Sequence, residues 1–207
     1  LQQCVESCGN LAVQRLINSF DVTYVGLMAG ATAGMRLESF ILIPIFAFNV
    51  AVATFTGQNV GAAKPERVRQ GRRMSTLMGL GFCVVVAVTA LLLRRQLVSL
   101  FGVPDSALVY GMEYLEYLCP SLLIFCLHMT TSGVMQGAGD VGFNAFITVS
   151  SLIFRCTAAY VLAYNTPLGH HAIWLSMPMG WLYSGILSWT RFYTGGWKKK
   201  AVTSQAA

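Results

Sequence analysis

The sequence predicts an all-α integral membrane protein, a bundle of six transmembrane helices, on three observations. Charged residues make up 11% of the 207 against 55% hydrophobic, where a soluble domain carries roughly 25% charged residues. Six windows, at 1–20, 24–58, 74–93, 107–135, 143–164 and 172–192, reach the roughly 20 predominantly apolar residues that a helix needs to cross the hydrocarbon. The basic residues collect in alternate connections. Lys64, Arg67, Arg69, Arg72 and Arg73 follow the second window, and Arg191, Lys198, Lys199 and Lys200 close the last, against Arg94 and Arg95 on the other side. The positive-inside rule then places both ends of the chain in the cytoplasm. It also accounts for the net charge of +6 without a nucleic-acid partner. Residues 1–194 read as one membrane bundle and 195–207 as a basic cytoplasmic tail.

The first window opens at Leu1-Gln2-Gln3-Cys4, already inside an apolar helix, with neither an initiator Met nor a secretory leader. The chain is therefore read as the later part of a longer protein. A polar hairpin, Asn18-Ser19-Phe20-Asp21-Val22-Thr23, makes the first two windows antiparallel neighbours and offers helix-capping side chains. The second window is long enough to need tilt or a kink, which Pro44 supplies. Pro120 and Pro178 interrupt the fourth and sixth in the same way, and broken helices are where transporters turn backbone carbonyls toward a cavity. The third window follows a cytoplasmic connector helix at 64–73. The fourth opens with Tyr110, Tyr114 and Tyr117, suited to an interfacial belt, and with Glu113 and Glu116, read as solvated carboxylates at the membrane surface.

Intramembrane charge is where function is sought. A carboxylate in hydrocarbon costs several kcal/mol unless it pairs, faces the bundle interior or takes up a proton, and a group whose surroundings alternate between wet and dry changes its affinity for Na⁺ or H⁺ as they do. Glu6 is the foremost candidate for such a coupling site. With the hairpin centred near Asp21, Glu6 lies level with Arg36 and Glu38, its expected electrostatic neighbours. Arg155, flanked by Leu152, Ile153, Phe154 and Cys156, must find a carboxylate, a carbonyl or a watery cavity, and is read as cavity lining. Neither a metal site nor an enzyme cofactor is expected. His128, His170 and His171 are the only imidazoles and none has metal-ligand spacing. All six cysteines fall in apolar windows as packing residues, and no nucleophile and base form a pair that would indicate an enzyme.

Two segments have the chemistry of a membrane helix leaving the bilayer: Thr56-Gly57-Gln58-Asn59-Val60-Gly61-Ala62-Ala63-Lys64-Pro65-Glu66-Arg67, which overlaps the run Ala53-Thr54-Phe55-Thr56-Gly57-Gln58-Asn59-Val60-Gly61-Ala62, and Gln136-Gly137-Ala138-Gly139-Asp140. Their glycines, Gly57, Gly61, Gly137 and Gly139, read as tight turns and close helix contacts, since no phosphate-loop spacing accompanies them. Together with Glu6-Ser7, Pro44, Arg67, Gly71, Arg155 and Gly180-Trp181, these runs make the chain resemble the multidrug and toxic compound extrusion family. The resemblance implies the second of two six-helix lobes, helices seven to twelve of a twelve-helix transporter. It implies antiport, in which entry of Na⁺ or H⁺ drives export of small amphipathic, often cationic, compounds by alternating access in a plasma membrane (the bacterial inner membrane). Glu6 matches an acidic position used by some members, whereas the run 123–128, where sodium-coupled members carry another acid, has no carboxylate. The implied partners are membrane lipid, the exported compound and a preceding six-helix lobe of the same protein. Two alternatives remain: a flippase for a lipid-linked oligosaccharide or other lipid, and a membrane scaffold without transport.

Overall fold

The computed structural model describes residues 2–198, with side chains from Gly9 to Lys198. All regular structure among them is helical: α1 (Gln2–Asp21), α2 (Leu27–Gly61), α3 (Pro65–Leu92), α4 (Arg94–Ser99), α5 (Asp105–Gly137), α6 (Val141–Asn165) and α7 (His171–Tyr193). α2, α3, α5 and α6 are long and apolar enough to cross a membrane. α1 and α7, with 20 and 23 residues, are of similar reach, their polar residues lowering the average. The 64–73 stretch is no separate connector. Pro65 starts a helix that runs unbroken to Leu92, because proline at the first helical position gives up only an N–H that has no intrahelical partner. The loop expected after the third window holds the short α4, whose Val98 is fully buried and fills the space beside Gly111.

α5 is the spine. In its most apolar stretch 72% of residues are buried within the bundle, against 11% for α6, and it packs on α2, α3 and α7. Small residues let α2 come this close. A side chain at Gly133 would reach within 2.6 Å of the Asn49 carbonyl, and one at Gly137 would collide with that of Ala53. Asn49 Nδ2 donates to the Met129 carbonyl across the same seam at 2.8 Å. The two motif runs therefore meet in space: the Gly137 carbonyl is 3.5 Å from where a Gly57 side chain would begin.

They also end alike. Lys64 N–H bonds the Asn59 carbonyl at 2.8 Å and Ala63 N–H that of Val60 at 2.9 Å; Asp140 N–H bonds Met135 at 2.8 Å and Gly139 N–H Gln136 at 3.1 Å. Both are Schellman caps, with a left-handed residue at the turn. At the second turn this is Gly139, φ +80°, but at the first it is Ala63, φ +56°, where a side chain is disfavoured. Gly139→Ala is expected to destabilise the protein by about 1 kcal/mol and Ala63→Gly to stabilise it by a similar amount. Thermal unfolding of the two variants checks both signs.

Pro44, Pro120 and Pro178, expected as helix kinks, each lie inside a helix that runs on through them. α1 leans chiefly on α6 rather than on α2, through Tyr160 Oη to the Ala12 carbonyl at 3.1 Å and Leu152 against Gly9; the hairpin keeps α1 near α2, where Asp21 Oδ1 accepts from Met28 N–H at 2.8 Å. Past α7, Trp197 is 1% exposed, stacks on Phe192 at 5.8 Å and donates from Nε1 to the Phe192 carbonyl at 3.2 Å. Its indole belongs to the bundle, and the rest of the basic tail, from Lys199, lies outside the described residues.

Candidate functional site

A cavity of about 510 Å³ opens inside the bundle between α1, α2, α5, α6 and α7. About half of its wall is polar, although much of the outer surface is hydrocarbon-like. α6 contributes Asn144, Thr148, Ser151 and Arg155, and α5 contributes His128, Ser132 and Gln136. Each set repeats at three or four residues and so forms one stripe on its helix. Asn10 and Gln14 do the same on α1. Hydrogen bonds fix much of this lining. Ser132 Oγ donates to Asn144 Oδ1 at 2.7 Å and receives Gln136 Nε2 at 3.1 Å, while His128 Nδ1 and Ser188 Oγ are paired at 2.9 Å.

Glu38 enters the cavity from α2 and accepts a hydrogen bond from Tyr114 Oη of α5. Gly34, one turn earlier on α2, has no side chain where the Tyr114 ring passes, and Trp174 meets that ring edge-on at 5.0 Å. The phenol is thus held by packing, and the carboxylate by the phenol. Arg155 faces the same space from α6. Its Nε is buried without a hydrogen-bond partner, and its stem runs past Gly180, where a side chain would approach within 3.1 Å. Since an unpaired buried donor is costly, this guanidinium is poised to receive an acceptor.

Of the sequence candidates, Glu38 and Arg155 come together. Arg36 does not join them. Being two residues from Glu38, it points to another face of α2, exposed beside Phe40, Ile43 and Val50. The Glu6 side chain lies outside the described residues, though its position on α1 is one and two turns before Asn10 and Gln14. The residues of the two motif runs, 53–62 and 136–140, are structural neighbours of the cavity rather than its lining, Gln136 excepted. Asn59 Nδ2 bonds the Phe55 carbonyl at 2.8 Å, and Gln58 and Gly61 are exposed. Asp140, 2% exposed, accepts from Arg191 Nε at 2.8 Å. Sequence reasoning missed Tyr114 and the polar stripes, whose helical spacing was the available signal.

Comparison with known proteins agrees with this fold. A MatE family profile matches residues 1–161. The chain is 26% identical over 204 residues to a probable multidrug resistance protein, YpnP, of Bacillus subtilis, covering 96% of this chain and 44% of that protein. Its fold superposes on inward-facing and outward-facing structures of a multidrug resistance MATE family transporter, with TM-scores of 0.82 and 0.84 at 22% and 21% identity, over 96% of this chain and 46% and 45% of those chains. The chain thus spans about half the length of the relatives it matches. A profile match running from the first residue to the last turns of α6, on a six-helix lobe of this architecture, means that the chain belongs to the MatE family.

Proposed function

We propose that this chain is the second lobe of a cation-coupled multidrug exporter, in which Na⁺ or H⁺ and the exported compound use the polar cavity in alternation. The observation that carries it is the presence of Glu38 and Arg155 on the wall of one cavity inside an apolar bundle. A carboxylate there can hold a cation or a proton, and cargo entering the same space competes with it. Position 6 continues the α1 register of Asn10 and Gln14, which supports Glu6 as the second carboxylate of the site. The likeness of this lobe to both inward- and outward-facing structures is what a lobe moving as one body would give, and supports rocking of two lobes about the cargo. Relatives named for multidrug resistance support small amphipathic cargo, with Arg155 supplying a donor to a carbonyl or other acceptor on it. Among the described lining residues one guanidinium faces the cavity, too few for a flippase that must hold a pyrophosphate.

The exposed α2 face bearing Arg36 suits contact with the preceding six-helix lobe, since a guanidinium on a lipid-facing surface is expensive. The working assembly is then twelve helices in a plasma membrane, both ends of this segment in the cytoplasm. Glu6→Gln in the intact protein is expected to abolish efflux while leaving expression unchanged. Ethidium export from cells, with the protein quantified by immunoblot, checks it; normal export by the variant removes Glu6 from the mechanism.

A further inference from the structure

At the end of the bundle away from the Schellman turns, three potential metal ligands meet. Glu113 of α5, His170 in the turn before α7 and His171 at its first residue present donor atoms all within 4.8 Å of one another. Glu113, expected at the solvated surface, instead places Oε2 2.8 Å from His170 Nε2, with side-chain exposures of 24% and 8%. The two imidazole centroids are 4.2 Å apart. Around a tetrahedral zinc with bonds of about 2.0–2.1 Å, ligand atoms lie about 3.3 Å apart, so small side-chain rotations suffice to close this set on an ion.

Two further features distinguish the cluster from an ordinary ion pair. His170, 6% exposed, has a buried Nδ1 with no partner, so the carboxylate meets only part of the polar demand of the pocket. The rings are also held as ligands are held. Tyr24, Tyr110 and Trp174 surround His170 edge-on with centroids at 4.6, 5.2 and 6.4 Å, and Tyr117 Oη lies 3.5 Å from His171 Nδ1, the kind of outer contact that orients a ligating imidazole.

We infer that Glu113, His170 and His171 form a binding site for a divalent cation of the zinc class, separate from the transport cavity, that clamps α5 to the start of α7. Two imidazoles and one carboxylate favour zinc, cobalt or nickel over magnesium or calcium, which take all-oxygen shells. A water completes four-coordination. The sequence did not suggest it, because Glu113 and His170 are 57 residues apart and only the fold joins them.

The test uses the intact, tag-free protein in detergent, titrated with cobalt chloride and then zinc chloride. One equivalent of cobalt giving the visible bands of a four-coordinate ion, displaced by zinc, is expected. His171→Ala, which alters the most exposed imidazole of the pair, is expected to weaken binding at least about tenfold while leaving the thermal unfolding temperature of the metal-free protein within about 2 °C of the parent. Glu113→Gln serves as the second variant and is expected to weaken binding similarly. Absence of a saturating cobalt spectrum overturns the site, as does equal binding by either variant or equal stabilisation by magnesium.

Discussion

For the exporter proposed above, Glu38→Gln in the intact protein is expected to reduce efflux by about tenfold to a hundredfold at unchanged protein level. The substitution keeps the size of the side chain and can still accept from Tyr114, so the packing of Tyr114 against Gly34 and Trp174 survives. What disappears is the negative charge facing Arg155 across the cavity. Interactions with a charged partner are worth about 1.5–3 kcal/mol, which at 1.4 kcal/mol per factor of ten gives the stated range for loss of cation affinity. The check is ethidium efflux together with drug-stimulated cation movement in proteoliposomes. If efflux fell but drug-stimulated cation flux per transported molecule stayed constant, Glu38 would hold cargo rather than the cation. Full activity would remove it from both roles.

Arg191→Ala is expected to cost about 3 kcal/mol of stability. Asp140 is 2% exposed and takes its charge partner from Arg191 Nε at 2.8 Å, and removing one member of a buried pair strands the other. The same guanidinium lies 4.6 Å from the Phe143 ring centre and holds the second Schellman turn to the end of α7. Beside it, Arg72 stacks over Phe192 at 4.2 Å. The substitution therefore loosens the junction of α3, α5, α6 and α7 at one end of the bundle. Thermal unfolding of purified protein gives the value. The double variant Asp140→Asn, Arg191→Ala is expected to recover a substantial part of it, because the stranded charge is gone; no recovery would mean that the contact with Phe143 dominates.

The helical architecture was legible because apolar runs of spanning length leave little choice of fold, and glycine read as either a turn or a close contact describes Gly139, at a positive φ, and Gly137, against the Ala53 carbonyl. The cavity was less so. Its polar stripes, Asn144-Thr148-Ser151-Arg155 and His128-Ser132-Gln136, lie on helices whose average is strongly apolar, and serine and threonine hardly change that average. Arg36 and Glu38 were known to point apart, but which of them faced inward depended on Gly34 admitting the Tyr114 ring, a contact between residues 80 apart in sequence. Glu113 was misread as solvated for the same reason: its partner arrives 57 residues later.

The burial of α5 carries a consequence for biosynthesis. Of the four spanning candidates it has the lowest mean hydropathy, 1.5, and the highest buried share, so it enters the bilayer carrying groups that lipid cannot satisfy. The ring of His128 finds Ser188 only 60 residues further along. At a synthesis rate of about 5–20 residues per second, that interval lasts some seconds, during which the helix must shelter against α2 and α3 or within the insertion machinery. A ribosome stalled between α5 and α7 would leave a nascent chain with an unmet imidazole in the membrane, a natural signal for quality-control proteolysis.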